Sequence, residues 1–172
     1  LADLYRRRDT GGRDDERIAD AVMDRMIVLN SEDAEAFLNR GRYTRRLTQT
    51  GSLNQPDRRK ALDDFLRAKE IDPDNVDALM DLIDEYVYWM NKVDESQSDE
   101  YLRFATEALT HAKEIAPGDT RVYVRSSQLA RVLKDRDAEM AAIQEGLEVL
   151  PGDRQLINLL FSAQLVGEQS AQ

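Results

Sequence analysis

The chain contains no cysteine, which removes disulfides and thiolate metal sites and leaves the redox compartment open. Its 172 residues include one histidine, His111, set between Leu109 and Ala112 in a helical pattern. With no second base at motif spacing, general acid–base and nucleophilic constellations lack their usual partners. No apolar run approaches the ~20 residues of a membrane span, and the sequence does not open with a charged-then-apolar leader. Basic residues are the minority, 24 Lys and Arg against 34 Asp and Glu, for a formal charge of −10. Such a chain is repelled at long range by nucleic acid and by anionic membranes, so neither is expected as a partner. Asp72-Pro-Asp-Asn-Val-Asp77 has alternating carboxylates but not the central glycine or distal glutamate of a calcium loop. Gly11-Gly12 and Gly51 are lone turn glycines and make no phosphate cradle. No metal, no cofactor and no catalysis are expected, and nothing addresses the chain to a compartment.

What is present is a repeated phrase. Ala68-Lys-Glu-Ile-Asp-Pro73-Asp-Asn returns as Ala112-Lys-Glu-Ile-Ala-Pro117-Gly-Asp and as Gly146-Leu-Glu-Val-Leu-Pro151-Gly-Asp. A fourth copy, Met26-Ile-Val-Leu-Asn-Ser31-Glu-Asp, has serine where the others have proline. Each phrase reads as helix, stop, helix: proline cannot continue the first run, and Asp or Asn caps the next. The corners at 31, 73, 117 and 151 lie 42, 44 and 34 residues apart, and self-similarity at such periods is the signature of a solenoid.

Between the corners the apolar spacing predicts helices over 14–29, 32–47, 57–71, 75–91, 98–115, 119–133, 137–150 and 153–166. Ser31 is expected to cap the second of these and Asp57 the third. Residues 48–56 and 91–98 are expected as loops or as longer helices, packing through Leu53, Trp89, Val93 and Tyr101. Residues 167–172 read as a polar tail, and Leu156, Ile157, Leu160 and Phe161 are expected to cover Ile143 and Leu147. Charge is uneven: residues 36–60 carry seven basic side chains against Asp57, and residues 72–100 carry ten acids against Lys92.

Phe37, Gly41, Ala61, Phe65, Ala68 and Pro73 in one repeat, and Leu79, Leu82, Tyr86, Ala105, Leu109, Ala112 and Pro117 in the next, give a pattern that resembles the tetratricopeptide-repeat (TPR) family. Tyr123 and Ala130 continue it, whereas Glu139 and Gly146 stand where that family has alanines. The resemblance covers roughly residues 13–166. It implies an all-α, right-handed superhelical solenoid of antiparallel αα-hairpins. Residues 1–172 then read as one such solenoid and as a piece of a longer protein, with a truncated repeat (1–30), extended repeats (31–73 and 74–117), a repeat of family length (118–151) and a C-terminal helix with tail (152–172).

The resemblance further implies that the first helix of each hairpin lines a concave groove. The side of each first helix away from its apolar stripe carries Glu35, Asn39 and Arg42, then Asp77, Asp81 and Asp84 at i, i+4, i+7, then Arg121, Arg125 and Gln128, then Asn158. These are the candidate partner-binding residues. A subset of the family grips C-terminal carboxylates of chaperones; Arg121 and Arg125 match it, but Asp81 replaces an asparagine with a repelling charge. The expected function is therefore a non-catalytic protein–protein interaction module that binds a peptide or protein segment in the groove. Weak self-association, or positioning of an enzyme elsewhere in a longer chain, are the alternatives. The acidic and basic residues of the groove either meet a partner's charges or pair across neighbouring helices, Arg42 and Arg45 with Asp81 and Asp84, and Arg121 or Arg125 doing the same from the other side.

Overall fold

A computed structural model describes residues 13–49 and 55–170, and these contain eight helices and no strand. The helices are α1 (Arg13–Leu29), α2 (Ala34–Gln49), α3 (Gln55–Ile71), α4 (Val76–Met90), α5 (Glu95–Ile115), α6 (Thr120–Val132), α7 (Arg136–Val149) and α8 (Arg154–Ser170). The expectations placed on residues 1–12, on Gly51 and Leu53, and on residues 171–172 lie outside the described residues.

All four corners adopt one turn. The backbone N–H of Asp33 donates to Asn30 O (3.1 Å), Asn75 to Asp72 O (3.2 Å), Asp119 to Ala116 O (3.0 Å) and Asp153 to Leu150 O (3.0 Å). The serine corner thus matches the three proline corners, because the turn depends on its closing Asp or Asn and not on the proline. That closing residue then caps the next helix: Asp33 Oδ1 accepts from Glu35 N (3.0 Å), Asn75 Oδ1 from Ala78 N (3.0 Å), and Asp153 Oδ1 from Leu156 N (3.0 Å). Asp33, not Ser31, therefore caps α2.

The boundaries depart from their expected places at 48–56 and 91–98, the stretches left open between loops and longer helices. Asp94 accepts from Gln97 N (3.0 Å) and starts α5 at Glu95, so the extra residues of this hairpin lengthen a helix to 21 residues. Helix α2 runs on to Gln49, and α3 begins at Gln55 with Pro56 in its first turn, where a missing N–H costs nothing. The stretch from 167 read as a tail is helical to Ser170.

The chain divides into two compact units, Leu1–Ala78 and Leu79–Gln172, the division falling in the first turn of α4. In the first unit α2 packs against α3 and α1, burying Phe37, Leu38, Ala61, Leu62, Phe65 and Ala68. A Cβ built on Gly41 would come within 2.5 Å of Phe65 Cε1, so the absence of a side chain there lets the two helices meet. In the second unit α6 packs against α7, and α8 against both. Tyr123, Val122, Ile143 and Leu156 are buried there, and the Tyr86 ring of α4 lies 5.5 Å from Phe104 and 6.1 Å from Tyr101 of α5. Gly146 repeats the role of Gly41, since its Cβ would meet Tyr123 Cγ at 2.7 Å and Leu156 Cδ1 at 2.8 Å. Leu156 is fully buried beside Gly146, whereas Phe161 is 62% exposed.

Candidate protein-interaction face

In the first unit Glu35 and Asn39 lie exposed on one side of α2, and Asn39 Nδ2 donates to Glu35 O (2.8 Å). Arg42, one turn on, extends to Asp77 on α4, with Nη2 to Oδ2 at 3.0 Å. Both side chains are about one-third exposed (36% and 38%), so the pair contributes little to stability, ~0–1 kcal/mol.

In the second unit the same arrangement recurs. Arg125 of α6 holds Asp84 of α4 through Nε to Oδ1 (2.6 Å) and Nη2 to Oδ2 (2.9 Å). Of these two contacts only that of Nη2 has hydrogen-bond geometry; Nε makes an ion-pair contact alone. Arg121 folds back onto Asp119, its Nη2 2.7 Å from Oδ2. Gln128 and Asn158 are exposed. Asp81 departs from the expected row: it is 6% exposed, one turn from fully buried Glu85, and has no open side to offer a ligand. The helical-wheel reading placed it outward, but the apolar stripe of α4 is wide enough to leave only Asp77 and Asp84 at its edges.

The charged residues of the row are thus largely engaged within the protein. What the row leaves outward in each unit is polar and uncharged, apart from Glu35 and the outer edges of the ion pairs.

Several charges are buried without having been read so from the sequence, among them Asp64, Glu85 and Glu139. Asp64 is 4% exposed and receives Arg40 through Nη2 (2.6 Å) and Nε (2.9 Å), while Arg40 Nη1 reaches Asp24 (3.2 Å). Burial pushes the Asp64 carboxyl above its ordinary value despite the guanidinium. Asp64 sits at the spacing of Ala61, Phe65 and Ala68, which was the available signal. Glu85 likewise shares the apolar stripe of α4. Glu139 is 3% exposed between Arg131 (2.6 Å) and Arg136 (2.7 Å). Burial pushes its carboxyl up, but hydrogen bonds from both arginines outweigh that and hold it below the usual range. Its place on the alanine position of the repeat was the clue.

A cleft of about 410 Å³ opens between α1, α2 and α3 beside Asp20, Asp24, Arg40, Tyr43 and Lys60. Its polar groups engage one another, Tyr43 donating to Asp20 Oδ1 (2.8 Å). His111 is about one-third exposed, with Nδ1 4.0 Å from Glu114 Oε2. Among the described residues no cluster of His, Asp or Glu is arranged to hold a metal ion, and no helix is long and apolar enough to cross a membrane.

No family model matches the chain, and no curated protein matches it. Among solved structures it is similar to a thermophilic TPR protein of Thermus thermophilus, with a TM-score of 0.64 and 20% identity over 86% of this chain and 72% of that one. The likeness defines the class of fold: an all-α helical-repeat solenoid of the TPR type. The likeness shows the fold alone, and a fold names neither a ligand nor a role.

Proposed function

We propose that the chain is a non-catalytic interaction module that binds a peptide or protein segment along the outward side of its first helices. The observation that carries this reading is the treatment of charge on those helices. Within the first unit Arg42 is held by Asp77 while Asn39 stays outward, and within the second Arg125 is held by Asp84 while Gln128 and Asn158 stay outward. A partner segment meeting such a surface is recognised by hydrogen bonds and shape, with little net Coulomb attraction. Its binding is expected to weaken only modestly as salt rises, unlike a surface of unpaired charges.

The test is capture from the native host's extract with wild-type protein and with an Arg121→Ala, Gln128→Ala, Asn158→Ala variant. All three side chains are exposed, so the variant should keep the wild-type circular dichroism. A defined partner lost by the folded variant supports the reading. If variant and wild type capture the same set, the first-helix row is not the binding surface.

A further inference from the structure

A cleft of about 360 Å³ lies in the second unit between α5, α6 and α7, within the size range of small-ligand pockets. It is separate from the first-helix row: Ser126 and Ala130 of α6, with Leu133 just past its end, line it about two-fifths of a turn around from Arg121, Arg125 and Gln128. Leu109 and Leu129 form its buried floor, and Ala138 and Ala142 of α7 keep one wall low.

The polar groups of the cleft have a common bias. Thr106 Oγ1 donates to Leu102 O (2.8 Å), Thr110 Oγ1 to Thr106 O (2.9 Å) and Ser126 Oγ to Val122 O (2.9 Å). With each hydroxyl proton committed to its own helix, the oxygens have only lone pairs to offer a guest. Asp135 lines the cleft too, and one of its oxygens is occupied in capping α7 at Ala138 N. The one cation in the lining, Lys113, is drawn to Glu145, 2.8 and 2.7 Å from its two oxygens. An apolar floor edged by acceptors, with its ammonium already neutralised, complements a flat apolar group that carries a hydrogen-bond donor.

We propose that this cleft takes the indole of a tryptophan side chain from a protein partner, the ring lying on Leu109 and Leu129 and its single N–H donated to the Thr110 hydroxyl oxygen. A carboxylate-bearing guest meets Asp135 and an ammonium already held by Glu145, and a phenyl ring fills the floor but leaves the acceptors unused.

The probe is N-acetyl-L-tryptophanamide, titrated into the full chain and followed by amide chemical shifts. Saturable shifts confined to residues around Thr106, Thr110, Ser126, Ala138 and Ala142 are expected. The 1-methyl-indole analogue should bind about 5-fold more weakly, the factor that one neutral hydrogen bond of ~1 kcal/mol supplies. Ala138→Leu, at an exposed helical position, should block both probes, whereas Thr110→Val should weaken the tryptophan probe and spare the methylated one. Absence of saturable shifts at the cleft, or equal affinity of the two probes, overturns the proposal. Neither result touches the first-helix reading, because the Arg121, Gln128 and Asn158 variant leaves the cleft intact.

Discussion

The ring of Phe65 lies against the bare Cα of Gly41, and a methyl group there would come within 2.5 Å of Cε1, 2.9 Å of Cδ1 and 3.0 Å of Cζ. Phe65 is fully buried and cannot swing away. Gly41→Ala gains up to about 1 kcal/mol of helix propensity but incurs ~1–3 kcal/mol of overpacking. A net loss is expected, lowering Tm by about 2–4 °C for each kcal/mol. Gly146→Ala, pressed by Tyr123 and Leu156, should behave alike, while Gly118→Ala, with nothing within 4 Å, should leave Tm unchanged or slightly raised. Thermal unfolding of the three variants checks the contrast.

Lys134 ends α6 in the left-handed region, at φ 59°. Asp135 N donates to Ala130 O (2.9 Å) and Lys134 N to Arg131 O (3.0 Å), the paired bonds of a Schellman motif whose left-handed position is usually glycine. Lys134→Gly keeps both bonds and removes the Cβ strain. It is expected to stabilise the fold by up to about 1 kcal/mol, read as a higher denaturant midpoint at unchanged slope.

Glu139 has a folded-state pKa below its ordinary 4.5, burial being outweighed by Arg131 and Arg136. Its contribution to stability is therefore present above that ordinary value and is lost as pH falls through the depressed folded one. Glu139→Gln should cost about 1–3 kcal/mol at pH 7, a range kept low because both arginines reach solvent. The gap between wild type and variant should close on acidification, which unfolding free energies measured from pH 7 downwards will show.

Asp64 carries the opposite sign. Burial raises its carboxyl above the ordinary 3.8 even with Arg40 attached, so the folded state takes up a proton more readily than the unfolded chain. Stability associated with Asp64 rises as pH falls through the raised folded value. Relative to Asp64→Asn, which stays neutral throughout, wild type should gain on acidification. A difference that moves against wild type would refute the assignment.

The repeat phrases around Pro73, Pro117 and Pro151 determined much of this protein by themselves. Helix breakers, capping Asp and Asn residues and 3.6-residue apolar spacing act through neighbours in sequence, so the helices, the corners and the close crossing at Gly41 were legible in one dimension. The serine corner was found on the same grounds, though its cap proved to be Asp33. The sequence left open whether 91–98 loops out or lengthens a helix, because Glu95–Ser98 carry no apolar signal and Asp94 is one acid among several. The outward row was legible only in part. Glu35, Asn39, Gln128 and Asn158 stand exposed as their helical positions require, but Asp81 lies on a helix whose apolar stripe is wide, and only packing could bury it. Which acid each arginine holds was also left to tertiary structure. Arg42 with Asp77, Arg125 with Asp84, and Arg131 and Arg136 with Glu139 are choices of distance between helices, and a sequence states charges without stating how far apart folding will put them.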